Sequence, residues 1–525
     1  MTRNDHSAKK SPPLAPGKNI TRAEKAELMR ENRARLDQDL VRQRLVWQSM
    51  PRVVDLQLSN FCNMSCTMCY DGNNPPLERL DHALVESFAA AVLPTAGVVT
   101  PFAGSEPLIL TWDLTRQLAE RYCVELELIT NAQFLDEAKF HELEPHVSSV
   151  SFSIDSHMRD VYERIRLRSK PDKVFENLPR AARLCREHGI EPQANVVFMV
   201  ENAAFMDETV AFLADQGCTT VRMLAFRMPY GAGNERAFSD AVRHMSPEWM
   251  EWMLGRIRKV AREKRIRMVF EGATREDLDC RPPDLGFRPD GKATHSLWGE
   301  LPYYFPGYCP MSVDRVKVAS DGRVYPCCVA SGDQLVLGDL NKSSFEAIWN
   351  GPESQDLRRG MLTNDLPKVC ATCSFTTAWI APELANMPFV DWYHDSHCGG
   401  TVPRVPEERQ TLAVDEPAHM TRTATPPTFR LTAPAVAVDE YQLAIGIAGT
   451  WHTENRVFTI PGDATEFTLP TDVWNALPAN VGLWWCVWGL RKQDLGASVR
   501  TPRMRCMVRH QPIPRIAGST LYHQG

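Results

Sequence analysis

The chain has 525 residues, of which 43% are hydrophobic and 24% charged, values ordinary for a globular protein of about two to four domains. They exclude a collagen-like or wholly disordered chain, and no apolar run approaches the ~18 residues of a membrane helix. The net charge of -6 provides no basic field for nucleic acid, so we expect neither nucleic-acid nor membrane partners.

The first half of the chain predicts one long helix followed by alternating strands and helices. Thr21 and Glu24 form the start signal of a helix that should run to about Trp47, behind a polar segment, 1–20, that we expect to be disordered. Strands are predicted at 53–58, 97–103, 124–130, 147–154, 193–200, 219–225 and 266–270. This pattern indicates an α/β fold, a partial (β/α) TIM-like barrel, in which functional residues lie at the C-terminal ends of the strands.

The sequence contains 15 cysteines and no visible secretory signal, which favours a reducing, cytoplasmic location and metal ligation over disulfides. Cys62, Cys66 and Cys69 lie directly after the first predicted strand. Structural zinc sites generally use four ligands in two separated pairs, whereas iron–sulfur clusters take thiolates from one short loop. The spacing therefore favours a [4Fe-4S] cluster with one open iron, and a zinc site is the alternative.

A Cys-x3-Cys-x2-Cys motif after the first strand of a βα array resembles the radical S-adenosylmethionine (SAM) superfamily. The resemblance implies that the three cysteines ligate three irons and that the fourth iron binds the amino and carboxylate groups of SAM. It also implies that an electron from the cluster cleaves SAM to methionine and a 5′-deoxyadenosyl radical, which removes hydrogen from a substrate. Met68 stands where the family usually places an aromatic residue against adenine.

Further motifs of the family follow at the ends of later strands. The turn 104–107 resembles the Gly-Gly-Glu-Pro sequence that holds the SAM amino group, with Ser105 in place of the second glycine. Residues 150–155 resemble a Ser-x-Asp stretch near the ribose, and Arg166 is the candidate for the SAM carboxylate, with Arg164 as its rival. The resemblance thus implies the SAM-binding residues Met68, Gly104, Ser105, Glu106, Pro107, Thr130, Ser153, Arg166 and Asn195.

A second group of cysteines, Cys309, Cys327, Cys370 and Cys373, is enough to close a metal site. The turn signal at 321–322 predicts a hairpin over 316–328 that returns Cys327 toward Cys309, although Cys328 could take its place. Alone, this group fits zinc or an iron–sulfur cluster equally well. After a radical SAM barrel it resembles the SPASM/twitch module in its single-cluster form, which implies an auxiliary [4Fe-4S] cluster.

Short strands separated by turn signals occupy the end of the chain and indicate a β-sandwich-like domain. They are predicted at 441–447, 456–460, 466–469, 481–490 and 503–508. The tryptophans of the aromatic-rich stretch 483–488, Trp484, Trp485 and Trp488, either fill its core, which we favour, or form an exposed aromatic platform. The predicted boundaries are 1–20 for the disordered terminus, 21–51 for the helix, 52–272 for the barrel, 273–308 for an irregular connector, 309–399 for the auxiliary-cluster module, 400–427 for a linker and 428–525 for the sandwich.

The motif set favours an enzyme over its alternative, a metal-binding scaffold that recruits partners through the C-terminal domain. Relatives with this module modify peptides or dehydrogenate carbohydrates and similar small molecules, so the resemblance implies a peptide, protein or carbohydrate-type substrate. It also implies an electron donor such as flavodoxin or ferredoxin. The sequence assigns no side chain as a catalytic acid or base.

Overall fold

The computed structural model describes residues 14–15, 17–69, 76–101, 105–225, 247–271, 309–328, 330–363, 365–371, 412–418, 421–434, 437–447, 456–480, 482–492, 499–500 and 505–524. The predicted site residues Gly104 and Cys373 and the predicted connector, 273–308, lie outside these ranges. Within the ranges, none of the helices combines the length and the apolar character that crossing a membrane requires.

The N-terminal helix α1 spans Arg22–Val41 and begins as predicted. Thr21 Oγ1 accepts a hydrogen bond from Glu24 N (3.2 Å), and Glu24 Oε2 accepts one from Thr21 N (2.8 Å), which together form a capping box. The helix ends before the predicted limit at Trp47, because the chain turns at Gln43, whose φ of 50° lies in the left-handed region.

The elements after α1 alternate through the barrel and become mainly β at the end of the chain. The helices are α2 His82–Val92, α3 Pro107–Leu110, α4 Trp112–Tyr122, α5 Glu137–Leu143, α6 Arg159–Ile165, α7 Pro171–Glu187, α8 Val200–Ala203, α9 Met206–Asp215, α10 Pro247–Lys264, α11 Pro310–Asp314, α12 Phe345–Trp349, α13 Pro352–Thr363, α14 Lys368–Ala371 and α15 Thr471–Ala476. The strands are β1 Val53–Leu56, β2 Ser65–Cys66, β3 Val98–Thr100, β4 Glu125–Thr130, β5 Val147–Ser153, β6 Arg166–Leu167, β7 Glu191–Phe198, β8 Thr220–Ala225, β9 Arg267–Glu271, β10 Arg315–Val318, β11 Arg323–Tyr325, β12 Gly338–Asp339, β13 Val414–Glu416, β14 Thr421–Thr423, β15 Thr428–Leu431, β16 Glu440–Ile447, β17 Arg456–Pro461, β18 Glu466–Thr468, β19 Gly482–Leu490, β20 Val499–Arg500 and β21 Arg505–Arg509.

A ten-stranded sheet forms the barrel, in the order β12-β11-β10-β1-β3-β4-β5-β7-β8-β9. Every neighbouring pair from β1 to β9 along this order is parallel. Each strand predicted for the barrel is present, and helices connect the strands, which confirms the partial (β/α) TIM-like barrel. The loops that follow β1, β3, β4, β5 and β7 therefore meet at one edge of the sheet.

Strand β10 lies beside β1 and extends the barrel sheet. The two strands are parallel, with Asp55 opposite Lys317, and β10 is antiparallel to β11 across the predicted turn. Gly322 occupies that turn with a φ of 91°, which side-chain-bearing residues adopt only with strain. The segment predicted as the auxiliary-cluster module thus begins as part of the barrel sheet, a long-range pairing that the local pattern does not predict.

The two sides of the barrel sheet differ in polarity because successive side chains of a strand face opposite sides. Val54 and Leu56 of β1 are buried in the apolar core together with Val85 and Phe88 of α2. Asp55 lies on the side away from these helices, and it is fully buried among polar neighbours from the adjacent strands. The apolar core therefore sits between sheet and helices, and the inner side of the barrel is polar.

The C-terminal strands form two sheets, as predicted from the alternating pattern. One has the order β13-β15-β18, and the other has the order β14-β21-β19-β16-β17 with β20 beside β19. Trp485 of β19 is buried and meets Phe429 of β15 edge-on, with ring centroids 5.0 Å apart, so this tryptophan fills the core as we favoured. The segment 400–427, predicted to be a linker, contains the strands β13 and β14. The sequence does not reveal them, because strands this short show no periodicity.

Candidate functional site

The first cysteine loop is fixed by backbone hydrogen bonds at the edge of the sheet where β1 ends. β2 pairs antiparallel with β6, with Cys66 opposite Arg166, and Thr67 N donates to Ile165 O (2.9 Å). Cys69 N donates to Cys66 O (3.1 Å), which folds the loop back on itself. Burial raises the pKa of the Cys62 thiol to about 12, so a bound cation is needed to hold this sulfur as a thiolate at neutral pH.

Glu106 connects the turn after β3 to the end of β4. Its carboxylate accepts from Thr130 Oγ1 (2.8 Å), Asn131 N (2.9 Å) and Leu108 N (3.3 Å). Burial raises the pKa of this carboxyl to about 7, while these hydrogen bonds oppose the rise. The predicted Glu106 and Thr130 are thus in contact with each other, and Pro107 is buried at the start of α3.

Arg166 is almost fully buried and forms an ion pair that the sequence does not reveal. Its Nε lies 2.7 Å from Asp155 Oδ2, and its Nη1 lies 3.8 Å from Cys66 Sγ. Asp155 Oδ1 also accepts from Val197 N (2.9 Å), so this carboxylate fixes both the arginine and β7. The rival Arg164 is exposed and pairs with Asp160 on the same helix, which favours Arg166 as the buried cation of the site.

Several buried polar atoms at this edge of the barrel have no hydrogen-bond partner among the described residues. They are Asn195 Oδ1, Asn63 Nδ2 and Tyr162 OH. Asn195 lies opposite Ser153 on neighbouring strands, and Asn63 Oδ1 accepts from Asn131 Nδ2 (2.9 Å). Unpaired buried donors and acceptors cost free energy, so this edge of the barrel is suited to a polar molecule that offers hydrogen-bond donors and acceptors.

The apolar part of the same edge is formed by Met68, which packs against a small buried cluster of Val161, Ile165 and Met199. Ser105 is half-buried between the site and the start of α3. Asp155 belongs to the stretch 150–155 that resembles a family motif, but the sequence did not predict it as a functional residue. Its position two residues after Ser153, at the C-terminal end of β5, is the signal that identifies it.

The second cysteine group gathers where β11 meets the elements that flank it. Cys309 is buried just before α11, Cys327 follows β11, and Cys370 lies in α14. Burial, followed by the neighbouring Cys328, Cys309 and Cys370 thiols, raises the pKa of Cys327 well above its usual value. The described cysteines therefore lie close together, Cys309 buried and the other three half-buried, and soft, electron-rich sulfurs of this kind suit an iron–sulfur cluster or zinc.

Both regions are similar to known protein families. Residues 56–213 match the model of the radical SAM superfamily, and residues 309–374 match that of SPASM, an iron–sulfur cluster-binding domain. A curated relative, GTP 3′,8-cyclase of Moorella thermoacetica, is 25% identical over 303 residues, which cover 55% of this chain and 85% of the relative.

Solved structures that resemble the chain include Streptococcus suis SuiB bound to S-adenosylmethionine, with 16% identity, a TM-score of 0.46 and coverage of 66% of this chain and 75% of that one. Native anSMEcpe with bound AdoMet has 18% identity and a TM-score of 0.44, and the match covers 62% of this chain and 88% of that one. Each of the two matched segments contains one of the two cysteine groups. The second segment includes β10, which pairs with β1.

Proposed function

We propose that the chain is a radical SAM enzyme with a SPASM module and that Cys62, Cys66 and Cys69 hold its SAM-binding [4Fe-4S] cluster. When bound, the cluster and SAM supply a 5′-deoxyadenosyl radical that removes hydrogen from the substrate. The observation that carries the proposal is the attachment of the cysteine loop to Arg166 at an edge of the barrel where other buried polar atoms lack hydrogen-bond partners among the described residues.

Different residues around the loop are proposed to bind different parts of SAM. Arg166 offers a guanidinium fork to the carboxylate, because Asp155 engages its Nε and leaves further N–H donors. Glu106 fixes the turn 104–107, whose backbone is proposed to bind the amino group. Ser153 and Asn195 face the ribose, and Met68 presents an apolar surface to adenine.

We propose that Cys309, Cys327, Cys370 and Cys373 ligate the auxiliary [4Fe-4S] cluster. Support comes from the thiols of Cys309, Cys328 and Cys370, each of which interacts with Cys327. Cys327 has all three as neighbours, and it is therefore the ligand proposed from this pair of adjacent cysteines. A cluster with four thiolates is closed, and such a cluster suits electron transfer rather than substrate binding.

The inner face of the barrel favours a polar substrate. Asp55 Oδ1 accepts from Arg315 Nη1 (2.6 Å), and Arg222 Nε donates to Gln193 Oε1 (2.9 Å) on neighbouring strands. A lining of charged and amide groups suits a substrate with hydroxyl, amide or carboxylate groups, because an apolar substrate would shield these polar groups from water without offering them hydrogen bonds. The proposed substrate is thus a polar peptide side chain or a carbohydrate-type molecule.

The reaction needs a reductant, and we propose a small electron-transfer protein such as flavodoxin or ferredoxin. A cytoplasmic location belongs to the same proposal, because a reducing compartment keeps clustered thiols available for iron. Neither a nucleic acid nor a membrane enters the proposed reaction.

Anaerobic reconstitution, followed by iron and sulfide counts and a 5′-deoxyadenosine assay with dithionite, tests the proposal. Wild type is expected to hold about eight irons and to cleave SAM, and the Cys62→Ala/Cys66→Ala/Cys69→Ala variant about four irons without cleavage. Cys185→Ala, which alters a buried cysteine of α7, is the matched control and should behave as wild type. Zinc in place of iron, or a fully loaded protein that leaves SAM intact, would overturn the proposal.

A further inference from the structure

The last residues of the chain, 510–524, leave the C-terminal sheets after β21 and lie along α13 of the SPASM module. We call this segment the C-terminal strap. Ile516 N donates to Asp356 Oδ1 (3.2 Å), and Arg359 Nη1 donates to Ile513 O (3.5 Å). Leu521 is 1% exposed within the apolar core, so the strap is packed and not merely laid over the surface.

Asp365, between α13 and α14, is the centre of the strap's contacts. Its Oδ2 lies 2.9 Å from Arg359 Nη2 and 3.3 Å from Arg515 Nε, and its backbone carbonyl accepts from the Tyr522 hydroxyl. The Arg515 guanidinium also stacks over the Tyr522 ring, 4.1 Å from its centroid. At Gly360 of α13, an added Cβ would collide with the Tyr522 hydroxyl, so the close approach needs glycine.

The segment that Asp365 anchors leads directly to a proposed cluster ligand. Cys370 N donates to Pro367 O (2.9 Å), so the turn after Asp365 sets the start of α14 and the position of this cysteine. Holding Asp365 from both sides therefore limits the movement of Cys370.

The far end of the strap holds the other ligand-bearing segment. Gln524 Nε2 donates to Val336 O (3.1 Å), and Val336 N donates to Gln524 Oε1 (2.8 Å). Val336 lies on the loop that returns from Cys327 and Cys328 to β12, and the flanking Leu337 is buried. One short segment thus ties down the backbone near both Cys327 and Cys370.

We propose that the C-terminal strap is a positioning element of the auxiliary cluster, which closes the two ligand-bearing segments around it and restrains their opening. The proposal rests on the ligand set proposed above. It gives the C-terminal domain a role in retaining the cluster. Because a chelator reaches a buried cluster through local opening of the protein, loss of strap contacts should accelerate the release of iron.

The test measures anaerobic iron release to the ferrous chelator ferrozine from the full chain. All variants carry Cys62→Ala/Cys66→Ala/Cys69→Ala, so the remaining iron belongs to the auxiliary site. Adding Arg515→Ala/Tyr522→Phe removes an ion pair and a hydrogen bond and is expected to speed release about tenfold. Arg515→Lys alone should keep a rate close to that of the background.

Two further variants separate the strap from a general loss of stability. Arg430→Ala is the matched control, because Arg430 is an exposed arginine of the same domain paired with a carboxylate, Glu416, at 3.3 Å, and does not touch the module. Its release rate should stay at the background level. Gln524→Ala acts at the other end of the strap, and about threefold faster release is expected from the loss of its two hydrogen bonds.

The outcomes distinguish a failure of the proposed auxiliary ligand set from a failure of the proposed role of the strap. If the background variant holds no iron, the auxiliary site itself is wrong, and the strap proposal fails with it. If it holds about four irons but the strap variants release them at the Arg430→Ala rate, only the role of the strap is overturned. Faster release from Gln524→Ala, with a thermal unfolding midpoint equal to that of Arg430→Ala, would support local positioning.

Discussion

Replacing Arg166 by glutamine would affect folding and SAM binding through different atoms of one guanidinium. The Nε–Asp155 ion pair is buried, with the two side chains 9% and 0% exposed, and its removal leaves a buried carboxylate without its cation. Breaking such a pair from one side costs about 3–5 kcal/mol. Loss of a charge-assisted contact to the SAM carboxylate costs about 1.5–3 kcal/mol, which weakens binding about 10- to 100-fold.

A double-mutant cycle with Asp155→Asn separates these two effects. The double variant Asp155→Asn/Arg166→Gln has no uncompensated buried charge, so most of the lost stability should return. Its SAM affinity should stay low, because glutamine offers no charge to the carboxylate. Urea unfolding of the cluster-free chain measures the stability, and anaerobic equilibrium dialysis of the reconstituted chain measures SAM affinity.

The control for this cycle is Arg164→Gln, which removes an exposed arginine 62% accessible on the same helix. Surface changes of this kind usually stay within about 0.5 kcal/mol of wild-type stability, and SAM affinity should not change. Wild-type SAM affinity in the double variant would refute the assignment of Arg166 as a SAM ligand and leave it as the partner of Asp155 alone.

Three other perturbations test the surroundings of the two cysteine groups. The pKa of Glu106, raised from 4.5 to about 7, means that the folded chain holds this proton more tightly, so its stability should fall by about 3 kcal/mol as pH rises from 4.5 through 7. In Glu106→Gln that fall should disappear from urea unfolding of the cluster-free chain at successive pH values. Arg315→Gln leaves Asp55 buried without its close cation and should cost about 3–5 kcal/mol by the same method. Gly322→Val forces a β-branched side chain into a φ of 91° and against Asn341, and thermal unfolding should show a loss of about 1–3 kcal/mol.

The parts of the fold that local sequence determines could be predicted, and the long-range pairings could not. Strands β5 and β8 show their apolar patterns within their own residues, so both lie within a few residues of prediction. The pairing of β1 with β10 brings Asp55 to Arg315 across 260 residues, and no local pattern encodes it. The strap is irregular and has no period at all, although its contacts to Asp365 are extensive.

The candidate site also contains residues that local sequence predicts and residues that only the long-range packing determines. Cysteine spacing singles out Cys62, Cys66 and Cys69, because one short loop must supply all three sulfurs. Which of Arg164 and Arg166 faces the site depends on one rotation of the chain at the end of α6, and the β2–β6 pairing determines it. The position of Asp155 after β5 is a signal in the sequence, but its contacts with Arg166 and with β7 are visible only in the assembled barrel.

The parallel pairing of β1 with β10 determines how the two cysteine groups lie relative to each other. β1 leads into the loop of Cys62, and β10 connects the element after Cys309 to the hairpin that ends at Cys327. The pairing is reinforced on the inner side by the buried contact of Arg315 with Asp55, while the apolar residues beside them pack against the helices. The loop of Cys62 and the segments of Cys309 and Cys327 thus adjoin neighbouring strands of one sheet. An electron that passes between the two proposed clusters therefore crosses a distance that the β1–β10 pairing helps to set, and substitutions at Arg315 should alter the rate of that transfer.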